Sequence, residues 1–323
     1  MADITHISNI RSVPSDDGAT DGPLFVWGGE AIVKRGGAID DGRPLSPHRA
    51  LRAFFGNPNA VTGLAILALI VAAALSAPFF FPDDPLSMVG RPTLWPYQDP
   101  DFPLGTDSMG RDVLAGLFHG ARVSLLVGIS AALIGLGVGV SIGAIAGYFG
   151  GRIDVLLQCL IEVFQNIPSF ILLVVIVAIA QPTLTTVTLA IGVVTWPTIA
   201  RLVRSEFRAQ REKEYVMAAR SLGYGHMRII VFEILPNALS PIIVVSSVMV
   251  ATAILAESAL SFMSLSDPNV VSWGSMIGSG RELLRTAWYL TALPGLVVVL
   301  TVLALNLIGD GLNDALNPRT LSE

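Results

Sequence analysis

The chain has 323 residues, of which 52% are hydrophobic and only 14% charged, with a formal net charge of −5 and a mean hydropathy of +0.65. That balance excludes an ordinary water-soluble domain, and the absence of ~10-residue segments of alternating polarity excludes a membrane β-barrel. A lone Cys159 excludes an intrachain disulfide, and His6, His48, His119 and His226 are too scattered to form a Cys/His metal site.

Residues 1–57 read as an N-terminal tail. They are polar and rich in Gly, Pro and Asp, with no apolar run near the start, so a cleaved signal peptide is not expected. Residues 16–47 read as disordered or loosely ordered. Residues 47–55 mix Arg49 and Arg52 with Leu51, Phe54 and Phe55, a pattern that fits a short helix lying on the inner leaflet. A solvated tail is the alternative.

Residues 58–323 read as an all-α, polytopic membrane domain. A helix needs roughly 20 apolar residues to cross ~30 Å of hydrocarbon. Runs of that kind at 60–80, 124–147, 155–180, 184–202, 239–262 and 290–308 predict about six spans. Gly135, Gly139, Gly143 and Gly147 recur every four residues, so they share one face of the second span and admit a close neighbour, as ordinary bundle packing or as a dimerisation face. In the third span Glu162 lies near Gln158, Gln165 and Asn166, and Glu257 lies in the fifth. Ionisable groups at membrane depth face a pathway or bond to a partner helix, and both readings are open. Trp288 and Tyr289 are expected to anchor the start of the last span at the interface.

Orientation follows from the basic residues. With the N-terminus inside, only Arg91, Arg111, Arg122, Arg281 and Arg285 of the 20 lysines and arginines fall in outside segments. This asymmetry predicts that both termini are cytosolic.

The segment from Arg201 to Pro236 is a charged island between apolar runs. Residues 214–222 have helical propensity, and Gly223 can supply a left-handed cap. Tyr215, Ala218, Ala219 and Leu222 share a face at helical spacing, so a groove in a partner could close over one aromatic ring and small alanines. A second short helix is expected over 226–234, with Pro236 breaking the pattern and starting the fifth span. An ordinary amphipathic cytosolic loop is the alternative.

These residues carry a resemblance. The run EYVMAARSLGYGHMRIIVFEILPN, Glu214 to Asn237, resembles the EAA loop of permease subunits in bacterial binding-protein-dependent ABC importers, specifically the C-type subunit of the dipeptide, oligopeptide and nickel group. Four further segments resemble that group in order: PLGTDSMGRD from Pro103, GYFGGRID from Gly147, AESALSF from Ala256 and NLIGDGL from Asn306. The chain departs from the pattern at Met217, where the general motif has glutamate, at Glu233 in place of a common histidine, and at Met263-Ser264 in place of Leu-Gly.

The resemblance implies a type I importer permease fold in the bacterial inner membrane. Partners would be a homologous second permease, two ATP-binding subunits and an external solute-binding protein, with no nucleic acid. Glu214, Tyr215, Ala218, Ala219, Arg220, Gly223 and Pro236 would couple to the ATPase. Glu162, Gln165, Asn166 and Glu257 would line the path or pack helices. Thr106, Asp107, Arg111, Asp112 and Trp273, with Arg281, would meet the binding protein, unless they stabilise the fold instead. No cofactor is expected on this chain. Its lysines, Lys34 and Lys213, stand in no GxxxxGK[ST] phosphate loop, so ATP would be hydrolysed elsewhere and the chain would not be an enzyme. The transported solute would be a peptide or a related small molecule. A self-contained channel or secondary transporter is the alternative, and would need its own ion-coupling groups and often an internal repeat.

Overall fold

The computed structural model describes residues 47–316. Those residues form helices joined by short turns and two longer loops. The readings made for residues 1–46 and for the C-terminal residues from 317 onward lie outside them.

Helix α1 (Pro47–Gly56) ends one residue before α2 (Pro58–Phe80), whose first backbone N–H groups are capped by the Asn57 side chain. Asn57 also donates to Asp314 at 3.1 Å, tying this corner to the other end of the chain. Helix α3 (Val113–Phe149) has 37 residues, starting well before the apolar run at 124. At 1.5 Å per residue that is about 55 Å, longer than a hydrocarbon core, so its ends stand clear of the bilayer.

The expected third span is not one helix. It is divided into α4 (Gly151–Asn166) and α5 (Ser169–Ala180), which meet at 81°. The break falls at Ile167-Pro168, where the proline ring disfavours helical backbone in the residue before it. Helix α6 (Leu184–Gln210) follows, then the short α7 (Glu214–Ser221) and a 37-residue α8 (His226–Phe262). The outer segments close with α9 (Trp273–Gly280), a 3₁₀ turn (Arg281–Leu283) and α10 (Tyr289–Leu316). Among the described residues, five helices are long and apolar enough to span, or six when α4 and α5 count as one broken span.

The expected separate helix over 226–234 is instead the first part of α8. Its Ile229–Ile234 stretch is π-helical and runs directly into the α-helix containing Pro236. Proline lacks an N–H and crowds the carbonyl four residues earlier, and the wider π turn lets the helix continue past it.

The pair α3 and α6 forms the centre of the bundle. A Cβ on Gly139 would lie 2.7 Å from Ile199 Cβ, one on Gly143 would lie 2.5 Å from Ala200 O, and one on Gly147 would lie 2.6 Å from Phe207 Cβ. These contacts advance together along both helices, so α3 and α6 run parallel. The glycine face is therefore spent on packing inside this chain. Two parallel helices also require the chain between them to cross back. Helix α4 does so first, with Asp154 paired to Arg204 and Ile161 packed by Trp196, and α5 completes it with Leu173 and Val177 against Val187 and Ile191.

Candidate functional site

At one end of the bundle α7 sits on a core made by Phe207, Ile229, Ile230 and Ile234. Val216 is fully buried there and Ala219 is 5% exposed. Burying a side chain of that kind contributes about 1–2 kcal/mol, enough to fix which face of an eight-residue helix turns inward. Tyr215 also turns toward the chain. Partial burial raises its phenol pKa, so the group stays protonated and donates to Gln210 Oε1 at 3.0 Å.

The expected contact face is corrected accordingly. Tyr215 and Ala219 belong to the inner face, while Glu214, Met217, Ala218, Ser221 and Leu222 are exposed together at i, i+3, i+4, i+7 and i+8. Met217 and Leu222 are 50% and 72% exposed, and Met227 and Phe232 at the start of α8 are exposed as well. Gly223 takes φ +79°, the left-handed conformation of a helix cap, and its N–H reaches the Arg220 carbonyl. Arg220 is exposed, with its guanidinium over the Tyr148 ring. Pro236 is exposed inside α8, next to its π-helical stretch.

Four residues of α4 form a second polar feature. Glu162 and Asn166 are exposed, and Gln158 donates to Glu162 at 2.7 Å. Gln165 is half-buried beside them. Glu257 is different. It is 4% exposed, and one carboxylate oxygen accepts from Ser261 at 2.9 Å and from Ser272 at 2.6 Å, while the other has no hydrogen-bond partner. These bonds join α8 to the turn that starts α9.

At the opposite end the loop from Phe81 to Asp112 folds on itself. Thr106 is fully buried, donates to the Arg91 carbonyl and accepts from Leu94 N. The Asp107 carboxylate accepts from the N–H groups of Met109 and Arg111. Asp112 caps α3 at Leu114 N, and partial burial raises its carboxyl pKa against the lowering effect of that bond. Trp273 is fully buried and donates through its ring to the Leu117 carbonyl at 3.0 Å. These bonds hold the outer loop together and α9 against the bundle. Arg111 differs in that its Nε is buried without a partner, and with Asp107, Asp112, Arg281 and Glu282 it borders an open cavity of about 500 Å³.

The Trp288-Tyr289 anchor also divides. Trp288 is 56% exposed, as an interfacial residue should be, but Tyr289 is buried and its hydroxyl donates to the carbonyls of Leu94 and Thr106. It therefore pins the outer loop to α10. The exposed residues missed on α7, Met217 and Ser221, were legible in principle, because they share helical spacing with Glu214, Ala218 and Leu222. Nothing local separated that face from the adjacent one.

The bundle and its projecting short helix define the class of an importer permease. A chain of the MetNI methionine ABC transporter, in inward facing conformations, matches the fold with a TM-score of 0.53 and 18% identity over 62% of this chain and 96% of that chain. The family model "Binding-protein-dependent transport system inner membrane component" matches residues 139–322, and "N-terminal TM domain of oligopeptide transport permease C" matches residues 48–103. This chain belongs to the family of binding-protein-dependent transport system inner membrane components. The di/tripeptide transport system permease protein DppC of Pseudomonas aeruginosa is 39% identical over 274 residues, 83% of this chain and 90% of that protein. The oligopeptide transport system permease protein OppC of Haemophilus influenzae is 37% identical over 276 residues, covering 84% and 88%. The chain is thus a permease subunit of an ABC importer, a multi-pass protein of the inner membrane.

Proposed function

We propose that this permease imports short peptides, paired with a homologous second permease, two ATP-binding subunits and an external solute-binding protein. The peptide assignment is supported by the names of the relatives at 36–39% identity. The basic residues flanking the spans support an α7 end and termini that face the cytosol.

The observation that carries the coupling reading is the exposed face of α7. A short helix that buries Val216 and Ala219 in its own chain, yet leaves Met217 and Leu222 open around a small Ala218, offers a knob for a partner's groove. Rim charges such as Glu214 and Arg220 add typically below ~1 kcal/mol each, so the apolar centre dominates the affinity. ATP-driven closure of the partner would then shift the bundle between two states by its differential contacts. Glu162 and Asn166 face away from this chain at membrane depth, where lipid is a costly neighbour, and are assigned to the boundary with the second permease and the solute path. Arg111 is assigned to contact with the binding protein.

Ala218→Arg tests the coupling face, because position 218 is exposed and arginine there does not disturb the core. Membrane insertion should be unchanged, while co-purification of the ATP-binding subunits and ATP-dependent dipeptide uptake in proteoliposomes fall by at least about tenfold, the cost of blocking one central contact. Normal association and uptake would exclude docking at α7 and favour a self-contained channel or secondary transporter.

A further inference from the structure

One aromatic residue contacts the turn between α7 and α8 at both of its ends. Tyr148, in the last turn of α3, is 4% exposed. The Arg220 guanidinium, at the end of α7, lies 5.3 Å from its ring centroid. Its hydroxyl is 2.9 Å from Nδ1 of His226, the first residue of α8, and the two rings meet edge to face with centroids 5.7 Å apart. The same turn of α3 is held rigidly from the other side, since a Cβ on Gly147 would lie 2.6 Å from both Arg204 O and Phe207 Cβ of α6.

We infer that Tyr148 is a positioning residue of the transport cycle, the contact through which movement of α7 is transmitted to the central pair α3 and α6. Chain connectivity gives α7 only two routes into the bundle, back into α6 and forward into α8. The Tyr148 ring adds a direct route into α3, and it touches the loop where α7 ends and where α8 begins. Because Gly147 leaves no slack against α6, a push on the Tyr148 ring moves α3 and α6 as one body. Loss of the ring leaves the exposed α7 face intact but lets α7 shift without carrying α3.

This inference rests on the docking of ATP-binding subunits at α7, and the experiment separates the two. The complete importer, with its binding protein, is reconstituted in proteoliposomes, and ATP hydrolysis and dipeptide uptake are measured on the same sample. In Tyr148→Leu the ATP-binding subunits should stay bound, with the ATP consumed per dipeptide imported rising about tenfold, within the range expected for a coupling residue. Tyr148→Phe keeps the ring and loses the hydroxyl, so its rise should be smaller, about threefold, and adding His226→Phe should change it little further because both remove one bond. A ratio that stays at the wild-type value in both Tyr148 variants would overturn the inference, whether uptake and hydrolysis fall together or neither falls. Release of the ATP-binding subunits by Tyr148→Leu would also overturn it, by showing that the residue only supports docking. Should Tyr148→Leu fail to assemble, the ratio in Tyr148→Phe decides. Failure of the docking reading appears separately, as retained subunits in Ala218→Arg.

Discussion

Gly143→Ala is expected to destabilise the solubilised chain by about 2–3 kcal/mol, and Gly143→Leu to prevent it from folding, because the site has no room to repack. The added Cβ would lie 2.5 Å from the Ala200 carbonyl and 2.8 Å from Val203 Cβ. The carbonyl is backbone held in α6, so relief requires the helices to part. Parting by even 0.5–1 Å forfeits a quarter to a half of each dispersion contact along the seam, and the seam includes the close approaches at Gly135, Gly139 and Gly147. Gly137 lies on the same helix with no atom within 4 Å of its Cβ position. Gly137→Ala should therefore be neutral or stabilising by up to about 1 kcal/mol through helix propensity alone. Thermal unfolding in detergent compares the two, and equal losses at positions 137 and 143 would rule out the close seam between α3 and α6.

The second large effect is expected at Glu257. Ala at this position should cost about 2–4 kcal/mol, since it opens a void and strands the hydroxyls of Ser261 and Ser272. The loss reaches further than one contact. Ser272 also caps α9 through its hydroxyl to Ser275 N at 3.0 Å, and the adjacent Trp273 N–H bonds to Ser124 at 3.1 Å. Glu257 thus sets the rotamer of the residue that starts α9 and presents Trp273 to α3. Gln retains an oxygen acceptor for both serines and nearly the same volume, so Glu257→Gln should cost about 1 kcal/mol or less. Melting temperatures of the two variants provide the measurement. Similar drops would show that the charge, and not the two accepted bonds, is what the site requires.

The coupling loop illustrates what was readable and what was not. Helical spacing located α7, and its capping glycine located its end, because both are local properties of a few residues. Two overlapping faces of the helix satisfy the same spacing. Only contact with Phe207, Ile229 and Ile234 turns Val216 and Ala219 inward, and none of these residues is within one helical turn of them. The outer loop shows the same limit. Polar residues such as Thr106 and Asp107 look like surface contacts in sequence, yet their bonds close a backbone fold that Tyr289 pins from a distant helix.

From the sequence alone came the membrane class, the approximate spans and the interrupted character of the Arg201 to Pro236 segment, since hydropathy and helical period are carried by neighbours along the chain. Its motifs also carried the family resemblance. Tertiary structure alone decided that α3 and α6 run parallel and that Glu257 is enclosed by serines. It likewise decided which side of α7 remains open. These are consequences of burial and close approach between helices far apart in the chain, and no local pattern of residues specifies them.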